Sequence, residues 1–427
     1  TGAGAQTYPT KYRFHYREAE KWWSNEINLI STGDGPFQYV LGAFLYHESY
    51  VQPVYTELEN EARYNGFVLN AATGGAAPSA PLRRPYDNRP GFNIHSKAVF
   101  GQIDWQFAPT WKTTIGIRYG SDHKSGYESA RIVFAPGTLH PTLPIDVTPV
   151  IGLVGGRGVV STVYDPVTGF KTRRYDDTWK AVTGTAGLQW NPTEDTMVYG
   201  KYSRGYKAGG YRIGIDTSLG ADPRTEKEIL DSFELGMKTN IGPTLQVNGA
   251  VFYYDYENAQ VPLSQPSATA SGTANSILFN VPKARTTGLE VETIWQPIDN
   301  LQILANYSYL DAEIRKGEAV DGADGCAQAP GARRTRIGPA DGFCAGNLFF
   351  QDLKGNTLPN SAKHRFTVNG NYTWLFDPGS LTGSATVVWR GAQYGSIFDR
   401  PYYRSPDFWQ IDGRLTWKDK EDHFTVI

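Results

Sequence analysis

Methionine occurs only twice in 427 residues, cysteine only twice, and no stretch reaches the 18 or more apolar residues of a membrane-spanning helix. A helical membrane protein is thereby excluded. One built from strands is not, because a tilted strand crosses a bilayer in about 9–11 residues and meets lipid with only every second one. An excess of charge of one sign is missing too: 41 Lys and Arg stand against 43 Asp and Glu, which leaves no electrostatic footprint for nucleic acid. The chain opens Thr-Gly-Ala-Gly, without a starting Met, a basic n-region or an apolar h-region, and stops at 423–427 in what reads as the first residues of another strand. It therefore reads as an internal portion of a longer protein.

Catalytic constellations are also scarce. Ser121-Asp-His-Lys124 spells S-x-x-K, but on a strand-to-loop segment, whereas that chemistry needs Ser and Lys one helical turn apart. The seven histidines show no ligand spacing, His47-Glu48 lacks the second His of H-E-x-x-H, and no G-x-x-x-x-G-K-[ST] loop is present. No enzyme, no cofactor and no protein-bound metal is expected.

What is abundant is Tyr (26), Trp (11) and Gly (46), a composition suited to pleated surfaces and poor for long helices. Leu245, Val247, Gly249, Val251 and Tyr253 alternate with Gln246, Asn248 and Ala250. The same period of two recurs in 111–119, 301–309 and 365–374. Thirteen such strands are predicted, near 18–31, 36–50, 91–107, 111–135, 173–190, 196–213, 225–240, 244–263, 275–296, 301–316, 357–375, 380–397 and 407–418, with a fourteenth beginning. Links alternate between short Pro/Gly/Asn/Asp turns, as at Pro109, Pro192, Pro243 and Pro378, and long segments near 51–90, 136–172, 214–224, 264–274, 317–356 and 398–405.

A barrel crossing an outer membrane has this rhythm, tight turns on one side and long loops on the other. Trp105, Trp111, Trp190, Trp295, Trp374 and Trp417 all lie within a few residues of a short turn, where an aromatic girdle at the headgroup level would sit. The fold class expected is all-β, an antiparallel transmembrane barrel whose short turns face the periplasm.

Particular runs then resemble a family. VYGKYSRGYKAGGY (198–211) is similar to a signature in the barrels of TonB-dependent outer-membrane receptors. FELGMK (233–238), AVFYYDY (250–256), GLEVE (288–292), NYSYLDA (306–312) and LPNSAKH (358–364) follow in that family's order, and AVFGQID (98–104) and GIRY (116–119) fit upstream. The resemblance implies a plugged barrel of about 22 strands. It implies that residues 1–427 are a partial barrel domain, without the N-terminal plug and its TonB-contacting box or the first and last strands. The implied function is active import of a scarce solute such as a ferric siderophore, captured at extracellular loops, with TonB as partner and lipid and lipopolysaccharide around the wall. A passive porin and a soluble all-β binding or adhesion protein are the alternatives.

Candidate ligand contacts follow. Arg204, Lys207 and Arg212 flank Gly205, Gly209 and Gly210, where missing side chains permit close backbone approach or a bend. Some of these cations would meet an anionic ligand or the plug, or else they are lumenal charges that pair with Asp or Glu on neighbouring strands. Arg333, Arg334 and Arg336 suit carboxylate or phosphate, from an iron chelate or from lipopolysaccharide, unless they are merely solvated. Tyr86, Tyr394, Tyr402 and Tyr403 would stack on a sugar or aromatic solute. Cys326 and Cys344, confined to one long link, are expected as a disulfide in an oxidising compartment, with two buried free thiols as the alternative.

Overall fold

The computed structural model describes residues 11–59, 61–134, 143–150, 156–211, 224–266, 274–321, 350–421 and 423–427. Thirteen long strands form an antiparallel meander: β1 (Ala19–Ile30), β2 (Phe37–Val51), β3 (Tyr86–Ala108), β4 (Trp111–Phe134), β5 (Lys171–Thr193), β6 (Thr196–Lys207), β7 (Glu228–Ile241), β8 (Leu245–Pro266), β9 (Ala274–Ile298), β10 (Leu301–Lys316), β11 (His364–Phe376), β12 (Gly379–Arg390) and β13 (Phe408–Asp419). Each pairs with the next in sequence. A fourteenth, β14 (Thr425–Val426), begins beside Trp417 and Lys418 of β13. Beyond the wall, Tyr12–Tyr16 prolongs β1 and pairs with Val54–Leu58, which prolongs β2. No described helix is long and apolar enough to cross a membrane.

Backbone hydrogen bonding, not a buried core, holds this wall together. Every ladder bond satisfies a peptide group that hydrocarbon could not. Parity then sorts the side chains. On β4 the apolar face presents Ile115, Ile117 and Tyr119, and on β7 Phe233, Leu235 and Met237; Ile117 is 62% exposed and Leu235 57%. Register carries that face around the sheet, since Ile117 is opposite Gly101 and Gly184, and Phe233 is opposite Tyr202 and Tyr253. Such an apolar row belongs against lipid. The other face, with Arg118, Thr183, Lys201 and Glu234, belongs to the lumen.

Short turns behave as their residues dictate. Pro109-Thr110, Glu194-Asp195 and Asp377-Pro378 each join two strands directly, and Gly242 holds φ +62°, a left-handed conformation that favours glycine. Register shifts fall beside the turn tryptophans, between Trp105 and Ala108, Trp190 and Thr193, and Trp295 and Ile298. At this end Trp111 stacks on Trp190 at 5.6 Å and Phe376 lies 5.9 Å from Trp417, all on the lipid side. The girdle expected from sequence is thus present.

Three strand ends differ from expectation. β11 starts at His364 because Pro359 has no N–H to give a ladder and Asn360 takes φ +60°; Asn360 instead donates its N–H to the Tyr394 carbonyl at 2.7 Å. β12 stops at Arg390 and β6 at Lys207, where glycines follow. At the long-link end two buried clusters form the molecule's conventional core. One gathers Leu263, Val281, Ile314, Leu353, Ile397 and Phe398, the other Tyr64, Val68, Ala80 and Val133.

Candidate functional site: the lumenal mouth of β2–β6

Just above the lipid-facing band, the lumenal face of β2–β6 lines a cavity of about 370 Å³, bounded by Phe44, Tyr46, Ser96, Arg118, Asp122 and Tyr206. Parity places Arg118 here: it pairs with Phe100 and Thr183, whose neighbours Val99 and Val182 face lipid. Its guanidinium lies 5.4 Å from the ring centroids of both Phe44 and Phe100, and among the described residues it has no ion pair. Two aromatic faces hold this cation without neutralising it. Asp122 is occupied otherwise, accepting from the Ser96 hydroxyl and from Tyr206 Oη at 3.0 Å.

Lys124 stands one lumenal position above Asp122. Burial pushes its ammonium below the usual lysine value and Lys207 adds to that, whereas Asp122 and Glu48 oppose it. Lys124 and Lys207 thus stand with Asp122 and Glu48 in a mixed lumenal charge group, with Tyr46 Oη donating to Glu48 at 2.6 Å beside it.

Higher still, four aromatic rings gather on the lumenal face. Tyr211 lies 4.4 Å from Tyr175, 6.5 Å from Phe92 and 5.7 Å from Trp179. Lys124 Nζ and the Arg224 guanidinium sit 5.9 and 5.0 Å from the Trp179 ring, and Arg224 pairs with Asp177 and Glu226. The link after β6 reaches this position because of Gly209. A Cβ there would fall 2.3 Å from the Trp179 indole nitrogen and 2.1 Å from the Thr225 carbonyl oxygen. The close approach anticipated for the glycine run is real at Gly209. Behind the rings, buried Glu128 accepts from Asn88 at 3.0 Å, Arg173 at 2.9 Å and Tyr175 Oη at 2.8 Å, and burial, then Glu128, raises the Tyr175 phenol.

Other candidates lie elsewhere. Arg204 is opposite Gly184 and Asp231, on the same face as Tyr202 and Phe233, and its Nη1 is 3.5 Å from Asp231 Oδ1. It has the acidic partner that one reading gave it, but it points away from the lumen, so the lumenal placement expected from sequence is corrected for Arg204. Tyr402 and Tyr403 donate to Asp321 at 2.6 and 2.8 Å, so both hydroxyls brace the long-link cluster, although the Tyr402 ring is 58% exposed. Tyr394 lies beside it, in the pair Gln393–Tyr394 with Arg404–Ser405. Tyr86 packs against Ala130, its phenol pushed up to about 12 mainly by burial. Arg212, Arg333, Arg334, Arg336, Cys326 and Cys344 lie outside the described residues.

The mouth itself, centred on Arg118, Lys124 and Trp179, was not singled out from sequence. Its signal was present: Tyr175 and Trp179 share the parity of Arg173 and Thr183, so aromatics stood on the polar face of a strand.

A family model described as TonB dependent receptor-like, beta-barrel, matches residues 2–426. The probable TonB-dependent siderophore receptor PiuA of Acinetobacter baumannii is 24% identical over 221 residues, 51% of this chain and 25% of that protein. The crystal structure of the ferric yersiniabactin uptake receptor FyuA from Yersinia pestis superposes with a TM-score of 0.64 at 15% identity, over 96% of this chain and 48% of that one. The copper transporter OprC does so with a TM-score of 0.55 at 10% identity, over 95% and 49%. At such identities the structural likeness is one of fold. The chain spans about half the length of these structures and, in its matched part, a quarter of the curated relative.

Proposed function

The chain belongs to the TonB-dependent receptor family, whose barrels lie in the outer membrane of Gram-negative bacteria and whose members are transport receptors, and on that premise we propose that it walls the passage of an anionic metal chelate such as a ferric siderophore. The observation that carries this reading is Arg118, a lumenal guanidinium held by two aromatic rings, without an ion pair among the described residues, at the edge of a 370 Å³ cavity. An unneutralised planar donor suits the carboxylates or phenolates of a chelate. Lys124 and Lys207, standing among Asp122 and Glu48, add charged donors above it, and Trp179 and Tyr211 supply faces for an aromatic ligand.

In this reading the long-link end is extracellular and the Trp-flanked turns are periplasmic. Work comes from TonB acting on a plug domain, so the wall needs no catalytic residue. Two features support a larger assembly. Among the described residues β1 pairs on one side only, with β2, and β13 gains two residues of β14 beyond β12. Hydrocarbon does not tolerate an open edge, so further strands close the barrel.

The test is affinity of the purified full-length protein for ferric citrate and for a ferric catecholate. Arg118→Gln is expected to weaken at least one at least tenfold while the folded barrel survives; unchanged affinity for both would remove Arg118 from the site.

A further inference from the structure

The histidines show no ligand spacing along the chain, yet register brings three of them into one row. His47 of β2 is directly opposite His95 of β3, and His95 is opposite His123 of β4. All three share the parity of Leu45, Val99 and Tyr119, which places them on the outward face of the wall, opposite to the face that carries Arg118. They stand on the long-link side of the lipid-facing row. Lys97, exposed on the same face between Val99 and His95, marks where water reaches the wall, because an ammonium is costly in hydrocarbon.

The His47 and His95 rings lie 4.5 Å apart, inclined at 38°, and their Nδ1 atoms face one another at 3.3 Å. As a hydrogen bond this contact is long, since N–H donors usually approach an acceptor to about 2.7–3.2 Å. As a chelating bite it fits: two imidazole nitrogens bound at about 2.0–2.1 Å to a tetrahedral divalent ion are about 3.3–3.4 Å apart. Neither Nδ1 has another hydrogen-bond partner among the described residues. The frame is fixed as well, because the pair lies inside an unbroken ladder in which the 15 residues Phe37–Val51 pair with Trp105–Gly91 without a register shift. Rings flank the pair on both sides. Trp23 is 6.1 Å from His47, and His123 stacks at 6.2 Å from His95 while its Nε2 is held 3.2 Å from Asp176 Oδ1.

We propose that His47 and His95 form an outward-facing, two-donor site for a late first-row divalent ion, Cu²⁺, Ni²⁺ or Zn²⁺. Neutral imidazole suits these ions, whereas Mg²⁺ and Ca²⁺ select oxygen donors. In the bound state both rings carry their proton on Nε2, so a ring that bears it on Nδ1 releases that proton to water and takes one up at Nε2. Among the described residues no group of three or more metal-binding side chains converges, so the remaining coordination positions stay open to water or to a donor from another molecule. The bound ion ties β2 to β3 across the ladder. It is not cargo, because the site opens on the face of the wall turned away from the passage.

The site is independent of the proposed import, and its test involves no transport. The full-length protein, purified in detergent without a histidine tag, is titrated with Cu²⁺, Ni²⁺, Zn²⁺ and Mg²⁺ alone. Expected is binding of the first three and not of Mg²⁺, with a Cu²⁺ electron paramagnetic resonance spectrum that shows coupling to two ring nitrogens. His47→Gln and His95→Gln should each weaken binding at least tenfold, and His123→Gln less than threefold. His364→Gln, on β11, should leave it unchanged. Zn²⁺ should also raise the unfolding temperature of the parent and not that of His95→Gln. Should a variant fail to fold, the Cu²⁺ spectrum of the parent protein decides alone. Unchanged affinity in either His47→Gln or His95→Gln, a spectrum without two-nitrogen coupling, or equal binding of Mg²⁺ would each overturn the proposal.

Discussion

Arg173 and Glu128 are direct cross-strand partners on β5 and β4, 2.9 Å apart, and both are buried, with 4% and 0% of their side chains exposed. Such a pair is costly to break, because removing one partner leaves the other charge in a low-dielectric setting. Here it also anchors Tyr175 and, through the ring stack, Tyr211 at the lumenal mouth.

Glu128→Ala is therefore expected to destabilise the protein by about 3 kcal/mol or more. Thermal unfolding of the folded barrel, followed by its heat-modifiable gel migration, measures this; an unchanged transition would mean that the network is ornamental.

Gly209→Ala tests the docking of the link after β6. A methyl at 2.1 Å from the Thr225 carbonyl oxygen and 2.3 Å from the Trp179 nitrogen forces the backbone away. Limited proteolysis should then cut between 208 and 225 at least several-fold faster than in the parent, with the β3–β5 fragments intact. Equal cutting rates would contradict the close contact.

The assignment of faces predicts an asymmetry on neighbouring strands. Ile117→Lys places a charge in the lipid-facing row and is expected to cost about 2–4 kcal/mol near the midplane. Gln189→Lys, on the lumenal face of β5, is expected to cost less than about 0.5 kcal/mol. Equilibrium unfolding from lipid vesicles compares the two, and equal costs would mean that the faces are reversed or the sheet is not in lipid.

Acid should loosen the ends of the first two strands. The Arg84 guanidinium, at 2.9 Å, is the main cause that holds the Glu57 carboxyl below its ordinary 4.5, with burial opposing and His15 assisting. Because the folded value is depressed, the contribution is fully present above the unfolded value and is lost as pH falls through the folded one. Hydrogen exchange across Val54–Leu58 should accelerate below about pH 4, and Glu57→Gln should remove that pH dependence. An equally steep dependence in the variant would assign it to another group.

Much of this fold was legible in the sequence because its signals are local. Alternation marked the thirteen strands, turn residues marked the tight links, and tryptophans beside those turns marked one membrane boundary. Where local chemistry fails, so did the reading. Arg204 precedes a glycine run without side chains to show a face, and only register against Gly184 and Asp231 settled which way it points. The start of β11 depended on Asn360 donating to Tyr394, about 30 residues away in sequence. The lumenal mouth joins residues of five strands, so Arg118, Lys124 and Tyr206 meet only once the wall is curved. Trp179 was legible in principle, as an aromatic on a polar face, but a ring there reads equally as packing.

The central claim is energised transport, and uptake of radiolabelled ferric chelate by cells expressing the full-length protein in a receptor-deleted strain tests it most directly. Accumulation should require the protein and fall to background when a protonophore collapses the proton-motive force or when TonB is deleted. Uptake that depends on the protein yet persists undiminished in de-energised cells would contradict the account and make the wall a passive pore.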